Sequence, residues 1–247
     1  MSSRLQRRNT GREWIGWTET AWAFFRYNAA QNFAGRAVVF IILAVAVFLG
    51  VVIFNLLKKA TALGAEQVFD FLLIPAVVLT FYPAAFVLQS DKDTGMIETL
   101  FGIPDHRFKV WLFRLLNLLL IVAALLFLLA VFCRLGIAEF PLGKMVLQLM
   151  FPVVFLASLA FFLACLTGSG NGTAVIMVVT LLVFWALSGT LKESSWYLFH
   201  NPFFAAGDIR ALVWSEITLS NRIYLSIGSV FFMMLALLRL QSRHKFI

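Results

Sequence analysis

Six long segments with almost no charge dominate this 247-residue sequence. A helix needs about 20 apolar residues to cross about 30 Å of hydrocarbon, so each segment has the length of a membrane span. Charged residues make up 13% of the chain, against about a quarter in soluble domains. The sequence therefore predicts an all-α membrane protein that forms one domain over residues 1–247. We expect transmembrane helices over 37–57, 71–88, 110–133, 145–167, 173–191 and 223–238.

Basic residues predict the orientation of these helices. With six spans both termini lie on one side, and 13 of the 20 lysines and arginines fall on that side. Lysine and arginine concentrate in cytoplasmic loops, so we expect both termini in the cytoplasm. A basic cytoplasmic face suits an anionic membrane lipid surface. Nucleic acid is not expected as a partner, because the spans leave no room for a soluble basic module.

The segment 10–33 precedes the first span and has the pattern of an amphipathic helix. Trp14, Trp17 and Phe25 recur at helical spacing along it. Tryptophan rings prefer the depth of the lipid headgroups, so we expect an interfacial elbow helix here. The alternative is an ordinary anchor ahead of the first span.

The segment 194–218, between the fifth and sixth spans, is too long for a simple turn and too apolar to be freely solvated. Pro202 divides it into two pieces. Irregular backbone at membrane depth must pack on protein or line a cavity. We expect two short half-helices that enter the outer leaflet. A surface loop with one amphipathic helix fits the sequence equally well.

The sequence lacks the chemistry of an ion-driven transporter or of an enzyme. All twelve acids fall in loops or at span edges, so no ionisable group is expected to be buried in the bundle. The histidines His106, His200 and His244 are scattered and are expected at the surface or at an interface, with no metal site. The glycine-rich stretch 167–173 lacks the lysine of a phosphate-binding loop and predicts a tight cytoplasmic turn. A transporter of this kind must receive energy from another chain.

A polar island over 89–109 interrupts the apolar pattern between the second and third spans. Within it, residues 94–102 predict a short helix that Gly102 and Pro104 end. Four large apolar residues share one face of this helix, and a helix so short needs a packing partner. We expect a docking site for a cytoplasmic protein, with a helix lying flat on lipid as the alternative. The four residues are Met96, Ile97, Leu100 and Phe101.

The stretch "DKDTGMIETLFGIPDHRFKVWLFR" resembles the signature loop of ABC-2 type transporter permeases. That loop carries an acid, a glycine, a "TLELL"-like run, a proline and a basic pair ahead of the third span. Arg114 stands near the usual lysine of the family, whereas Met96 and Thr99 depart from its pattern. The matching positions are Asp93, Gly95, Ile97, Glu98, Leu100, Pro104 and Arg107.

The resemblance implies an exporter subunit in the cytoplasmic (inner) membrane of a bacterium. The helix 94–102, including Met96 and Phe101, would be the coupling helix, seated in a groove of a cytoplasmic ATP-binding cassette ATPase. ATP and Mg would bind that ATPase, so no cofactor, metal or catalytic residue is expected in this chain. A second copy or a paralogue would complete the transporter, with a substrate path along the second and fifth spans. Asn201, Pro202 and Phe203 would belong to an outer re-entrant element.

Two other functions fit the sequence. The chain could be a membrane anchor or assembly subunit that recruits a cytoplasmic ATPase without transporting anything. It could also be a polytopic membrane enzyme, if Asp208 or Glu216 lay in a buried cavity beside a second acid or a metal.

Overall fold

A computed structural model describes residues 37–57, 64–93, 107–204 and 208–240. These residues form helices joined by turns, and they contain no β-strand, so the predicted all-α class is confirmed for them. The helices are α1 Ala37–Leu57, α2 Ala65–Asp93, α3 Arg107–Gly136, α4 Leu142–Thr167, α5 Gly170–Ala186, α6 Ser188–Leu191 and α7 Asp208–Leu240.

Four of the described helices are long and apolar enough to cross a membrane, which supports a helical membrane protein. Shorter apolar stretches lie in α1 and α5, at Ile41–Ile53 and Gly170–Ala186. The predicted elbow helix 10–33, with Trp14, Trp17 and Phe25, lies outside the described residues, as does 94–106. The four long stretches are Ala65–Phe86, Val110–Gly136, Leu142–Thr167 and Leu212–Leu240.

Helix α4 is the centre of the bundle and packs against α2, α3, α5 and α7. Buried apolar side chains recur along it at helical spacing, so more than one face is covered by neighbouring helices. Its contact with α7 is close, because a Cβ on Gly228 would lie 2.7 Å from the ring of Phe155. Phe232 of α7 packs its ring 5.7 Å from those of Phe155 and Phe162.

Successive long helices run in opposite directions, which gives the bundle two distinct ends. At one end, which we call the turn end, α4 passes into α5. There Gly168 adopts φ 66°, and its N–H donates to the Ala164 carbonyl at 3.0 Å. Ser169 then caps α5 by accepting from the Gly172 N–H at 3.2 Å. The predicted tight turn over 167–173 is therefore present.

The opposite end, which we call the loop end, carries residues 192–204. The fifth predicted span, 173–191, is interrupted here, because α5 ends at Ala186 and the single turn α6 follows. The prediction of two half-helices over 194–218 is wrong for the described residues. Residues 194–204 form turns, and α7 begins at Asp208.

The sixth span is also longer than predicted. The predicted span begins at residue 223, because the basic residue Arg222 has the position of an anchor at the water boundary. In the structure α7 continues through Arg222. The side chain of Arg222 is 5% exposed and donates hydrogen bonds to Gln148 Oε1 and to the His200 carbonyl inside the bundle.

Candidate functional site

A cavity of about 660 Å³ lies between α2 and α5 and reaches the loop end. Its volume is within the usual range of about 300–1,000 Å³ for small-molecule sites. Seven aliphatic residues on the facing sides of the two helices line its length. These residues are Leu73, Ile74, Val77, Val78, Val178, Leu181 and Leu182.

Polar and aromatic groups line the loop end of the cavity. Glu66 and Asp70 of α2 are one helical turn apart and therefore share a face. Lys192 and Tyr197 come from the turns that follow α6. The ammonium of Lys192 lies 5.9 Å from the ring centre of Phe204, within cation–π range. Rings of Trp185, Phe199 and Trp214 complete this end.

Asn201 holds the turns over 192–204 against α2. Its Nδ2 donates to Asp70 Oδ1 and to the Glu66 carbonyl, both at 2.9 Å. Its Oδ1 accepts from the Phe203 N–H at 2.9 Å, and its carbonyl accepts from Trp214 Nε1 at 3.1 Å. Asn201 is 9% exposed and thus joins α2 to α7 through its side chain and its backbone.

A second set of hydrogen bonds ties the same turns to α4 and α7. Asn221 donates to the carbonyls of Ser195 and Tyr197, both at 2.8 Å. Arg222 donates to Gln148 Oε1 at 2.6 Å, to Asn221 Oδ1 at 2.8 Å and to the His200 carbonyl at 3.1 Å. These bonds make the turns over 192–204 a fixed roof of the bundle.

His200 is 1% exposed and lies under this roof. Its Nε2 is 2.9 Å from Thr218 Oγ1, and its ring packs 4.6 Å from that of Trp214. Burial and, to a smaller extent, the nearby charge of Arg222 lower the pKa of His200 to about 4, with the Lys192 backbone opposing the shift. The imidazole is therefore neutral at pH 7. The prediction of a surface or interface histidine is wrong for His200.

Tyr197 also carries a shifted pKa. Burial raises the pKa of its phenol, and the negative charge of Asp70 raises it further. The phenol is therefore neutral at physiological pH. The charged groups that line the cavity are Glu66, Asp70 and Lys192.

The expectation that no ionisable group would be buried is wrong for two arginines. Arg222 is one of them, and Arg114 of α3 is the other, at 3% exposed with its guanidinium 5.3 Å from the ring centre of Trp111. In the sequence each arginine stands at the edge of a predicted span, where water would be close. In the folded chain tertiary contacts bury both side chains. Arg222 is fixed by three hydrogen bonds, which gives it a structural role.

The predicted site residues fall in different places. Asn201, Pro202 and Phe203 belong to the roof, and Phe203 packs its ring 6.0 Å from that of Phe69. Asp93 is the last residue of α2, and Arg107 is the first of α3. Glu216 is one of the two acids, either of which the enzyme alternative would need in a buried cavity, and it is exposed on α7. The remaining coupling residues lie outside the described part of the chain: Gly95, Met96, Ile97, Glu98, Leu100, Phe101 and Pro104.

Sequence reasoning missed the cavity and most of its lining. Asp70 and Lys192 are distant along the chain and come together only through the packing of α2 against α5. One local signal was available, since Glu66 and Asp70 form an acid pair one turn apart at the start of an apolar run. Such a pair at the edge of a span indicates a polar site at that depth.

Among the residues that the structure describes, no group of three or more metal-binding side chains is present. In comparisons with known proteins, no family model, no curated protein and no solved structure matches this chain.

Proposed function

We propose that this chain is the membrane-spanning permease subunit of an ABC-2 type exporter. It crosses the cytoplasmic membrane of a bacterium six times, with both termini in the cytoplasm and an elbow helix over 10–33. Two copies, or one copy and a paralogue, form the transport path. A separate cytoplasmic ATP-binding cassette ATPase binds the coupling helix 94–102 and hydrolyses ATP with Mg. The cargo moves outward when the closing ATPases push on that helix.

The observation that best supports this proposal is the length of α2. Its 29 residues span about 44 Å, from the segment that resembles the permease signature loop to the cavity. Asp93 ends α2 at the turn end, and Asp70 lies on the same helix at the loop end. A displacement at the turn end would therefore reach the cavity wall along one continuous helix.

The turn end also supports the proposal, because α2 is firmly held there. Gln89 Oε1 accepts from the Gly170 N–H of α5 at 2.7 Å. Gly170 approaches α2 so closely that a Cβ would lie 2.7 Å from that Gln89 oxygen. Motion of the α2 terminus would thus carry α5 with it, and α2 and α5 form the two cavity walls. The resemblance implies a substrate path along these same two spans.

The partner ATPase can be identified and tested in two steps. Affinity purification of the tagged chain from its native membrane yields the ATPase that copurifies. Coexpression of that ATPase with Glu98→Lys and with Leu100→Lys then tests the docking role. Both substitutions should abolish copurification and the stimulation of ATP hydrolysis, because they change the face and rim of the coupling helix. Glu139→Lys is the matched control, since this exposed acid lies between α3 and α4, at the loop end.

Each result has a definite consequence. An intact, stimulated complex with both coupling variants would contradict the docking role. A complex that forms and hydrolyses ATP but moves no cargo in vesicles would favour the alternative, a membrane anchor that recruits the ATPase.

A further inference from the structure

The cavity between α2 and α5 combines an apolar body with a charged end. Aliphatic side chains of the two helices line its length, and its polar groups lie at the loop end. A molecule that fills it must therefore be amphipathic, with a tail along the helices and a head near Asp70 and Lys192. A wholly polar solute would leave the aliphatic wall unmatched, and a wholly apolar one would place apolar atoms against the charged groups at the loop end.

The charges at this end favour a cation. Glu66 and Asp70 contribute two negative charges, and Lys192 contributes one positive charge, so the lining carries a net charge of −1. The hydrogen bond from the neutral Asn201 amide fixes Asp70 without cancelling its charge. One added positive charge would bring this end of the cavity to neutrality.

Aromatic rings reinforce the same preference. Phe204 already has the Lys192 ammonium over its face and lies 5.0 Å from the ring of Trp214. Tyr197 and Phe199 lie in the same end of the cavity. Aromatic faces attract ammonium groups, and rings that surround a cationic head are a common recognition pattern for quaternary amines.

The mouth of the cavity has an apolar part along α2 and α5, while Asp70 and Lys192 are exposed at its loop end. Ile74 of α2 and Val178, Leu182 and Trp185 of α5 line the cavity and are 44–72% exposed. They belong to the apolar stretches of these helices, so a ligand would enter from the bilayer without first passing through water.

We propose that this cavity binds an amphiphile with a long apolar tail and a single positively charged amine head. The tail lies along α2 and α5, and the head lies between the two carboxylates and the aromatic rings. The site is formed by residues of one chain. Binding of the amphiphile therefore does not depend on the exporter proposal, and either proposal can fail while the other holds.

Binding can be measured by native mass spectrometry of the purified full chain in a non-ionic detergent. The probe is tetradecyltrimethylammonium, and tetradecyl sulfate is the control of equal tail length and opposite charge. The cation should bind at least tenfold more tightly than the sulfate. Asp70→Asn should weaken cation binding by about tenfold, because it removes the charge and keeps an oxygen for Asn201. Glu139→Gln, which removes an exposed acid outside the cavity, should leave it unchanged.

A second variant tests the cavity itself. Val178→Phe adds bulk at a position that is 46% exposed at the mouth, so it should fold and should weaken binding of the cation. Equal binding of cation and sulfate, or an unchanged affinity in both Asp70→Asn and Val178→Phe, would overturn the proposal. Binding of neither probe would also overturn it.

Discussion

Acidification should open the roof over 192–204 by protonating His200. The imidazole has a pKa of about 4 in the folded chain, against 6.5 for an unburied histidine. The unfolded chain therefore binds a proton at a higher pH than the folded chain. The contribution of His200 is fully present above about pH 6.5 and is lost as the pH falls toward 4.

The size of this effect follows from the two pKa values. The complete loss between them corresponds to about 3 kcal/mol, of which about 2 kcal/mol is already lost at pH 5. The charges and hydrogen bonds around the ring give the physical reason. Arg222 repels a second positive charge, and the remaining neighbours, Thr218 and Trp214, are neutral.

The assay is thermal unfolding of the purified chain in a non-ionic detergent, followed by tryptophan fluorescence between pH 8 and pH 4.5. His200→Gln is the reference, because an amide retains a polar partner for Thr218 and does not titrate. The difference between the two profiles isolates His200, since His106 and His244 are present in both proteins. Hydrogen exchange of residues 195–201 should show the same loss of protection in the parent at pH 5.

Parallel profiles of the parent and His200→Gln from pH 8 to pH 4.5 would refute this reasoning. They would mean that the folded and unfolded chains bind the His200 proton equally, and hence that the imidazole is not buried.

Two further substitutions test the two ends of the bundle. Gly170→Ala should destabilise the turn end by about 1–3 kcal/mol, because its Cβ would meet the Phe86 ring and lie 2.7 Å from Gln89 Oε1; the loss is measured by thermal unfolding. Arg222→Met should leave Gln148 Oε1 and two other buried oxygens without their donor, at about 1–3 kcal/mol for each group that finds no other partner. It should also move the acid transition to higher pH, since the positive charge of Arg222 lowers the pKa of His200.

Each of these substitutions has a matched control. Gly143→Ala adds the same methyl group where no atom outside its own stretch of helix lies within 4 Å, so it should not destabilise the protein. Arg134→Met removes an exposed arginine from the end of α3 and should leave both stability and the acid transition unchanged. Equal effects of the test variants and their controls would show that the contacts around Gly170 and Arg222 contribute little.

Each predicted span overlaps a described helix, but only four of the described helices are long and apolar enough to cross a membrane, and most helix ends differ from the predicted ones. A run of apolar residues marks the part of a helix that has the composition of a span, whereas the helix itself continues as long as its backbone bonds are satisfied. Helix α2 therefore begins at Ala65 and ends at Asp93, beyond the predicted 71–88. Helix α7 likewise continues past the end of its apolar run. Arg222 can be buried within it because its guanidinium donates hydrogen bonds to Gln148 of α4 and to the His200 carbonyl of the roof.

The candidate site was harder to predict, because it is a product of tertiary contacts. Asn201 was singled out for its neighbour Pro202, yet its role comes from hydrogen bonds to residues more than 130 positions away, Glu66 and Asp70. His200 looked like a surface residue, since nothing in its local sequence indicates that α7 covers it. Composition and periodicity carry information about neighbours along the chain and little about such distant partners.

The central claim is that the segment 94–106 faces the cytoplasm, where an ATPase can bind it, while the roof faces the outside. Thr99→Cys and Trp196→Cys, the latter at a residue that is 65% exposed, can each be labelled with a membrane-impermeant maleimide in intact cells, with the parent chain, whose Cys133 and Cys165 are buried, as the background. The account predicts that the cysteine at 196 reacts at once and that the cysteine at 99 reacts only after the membrane is permeabilised. Immediate labelling at 99 in intact cells would contradict the account.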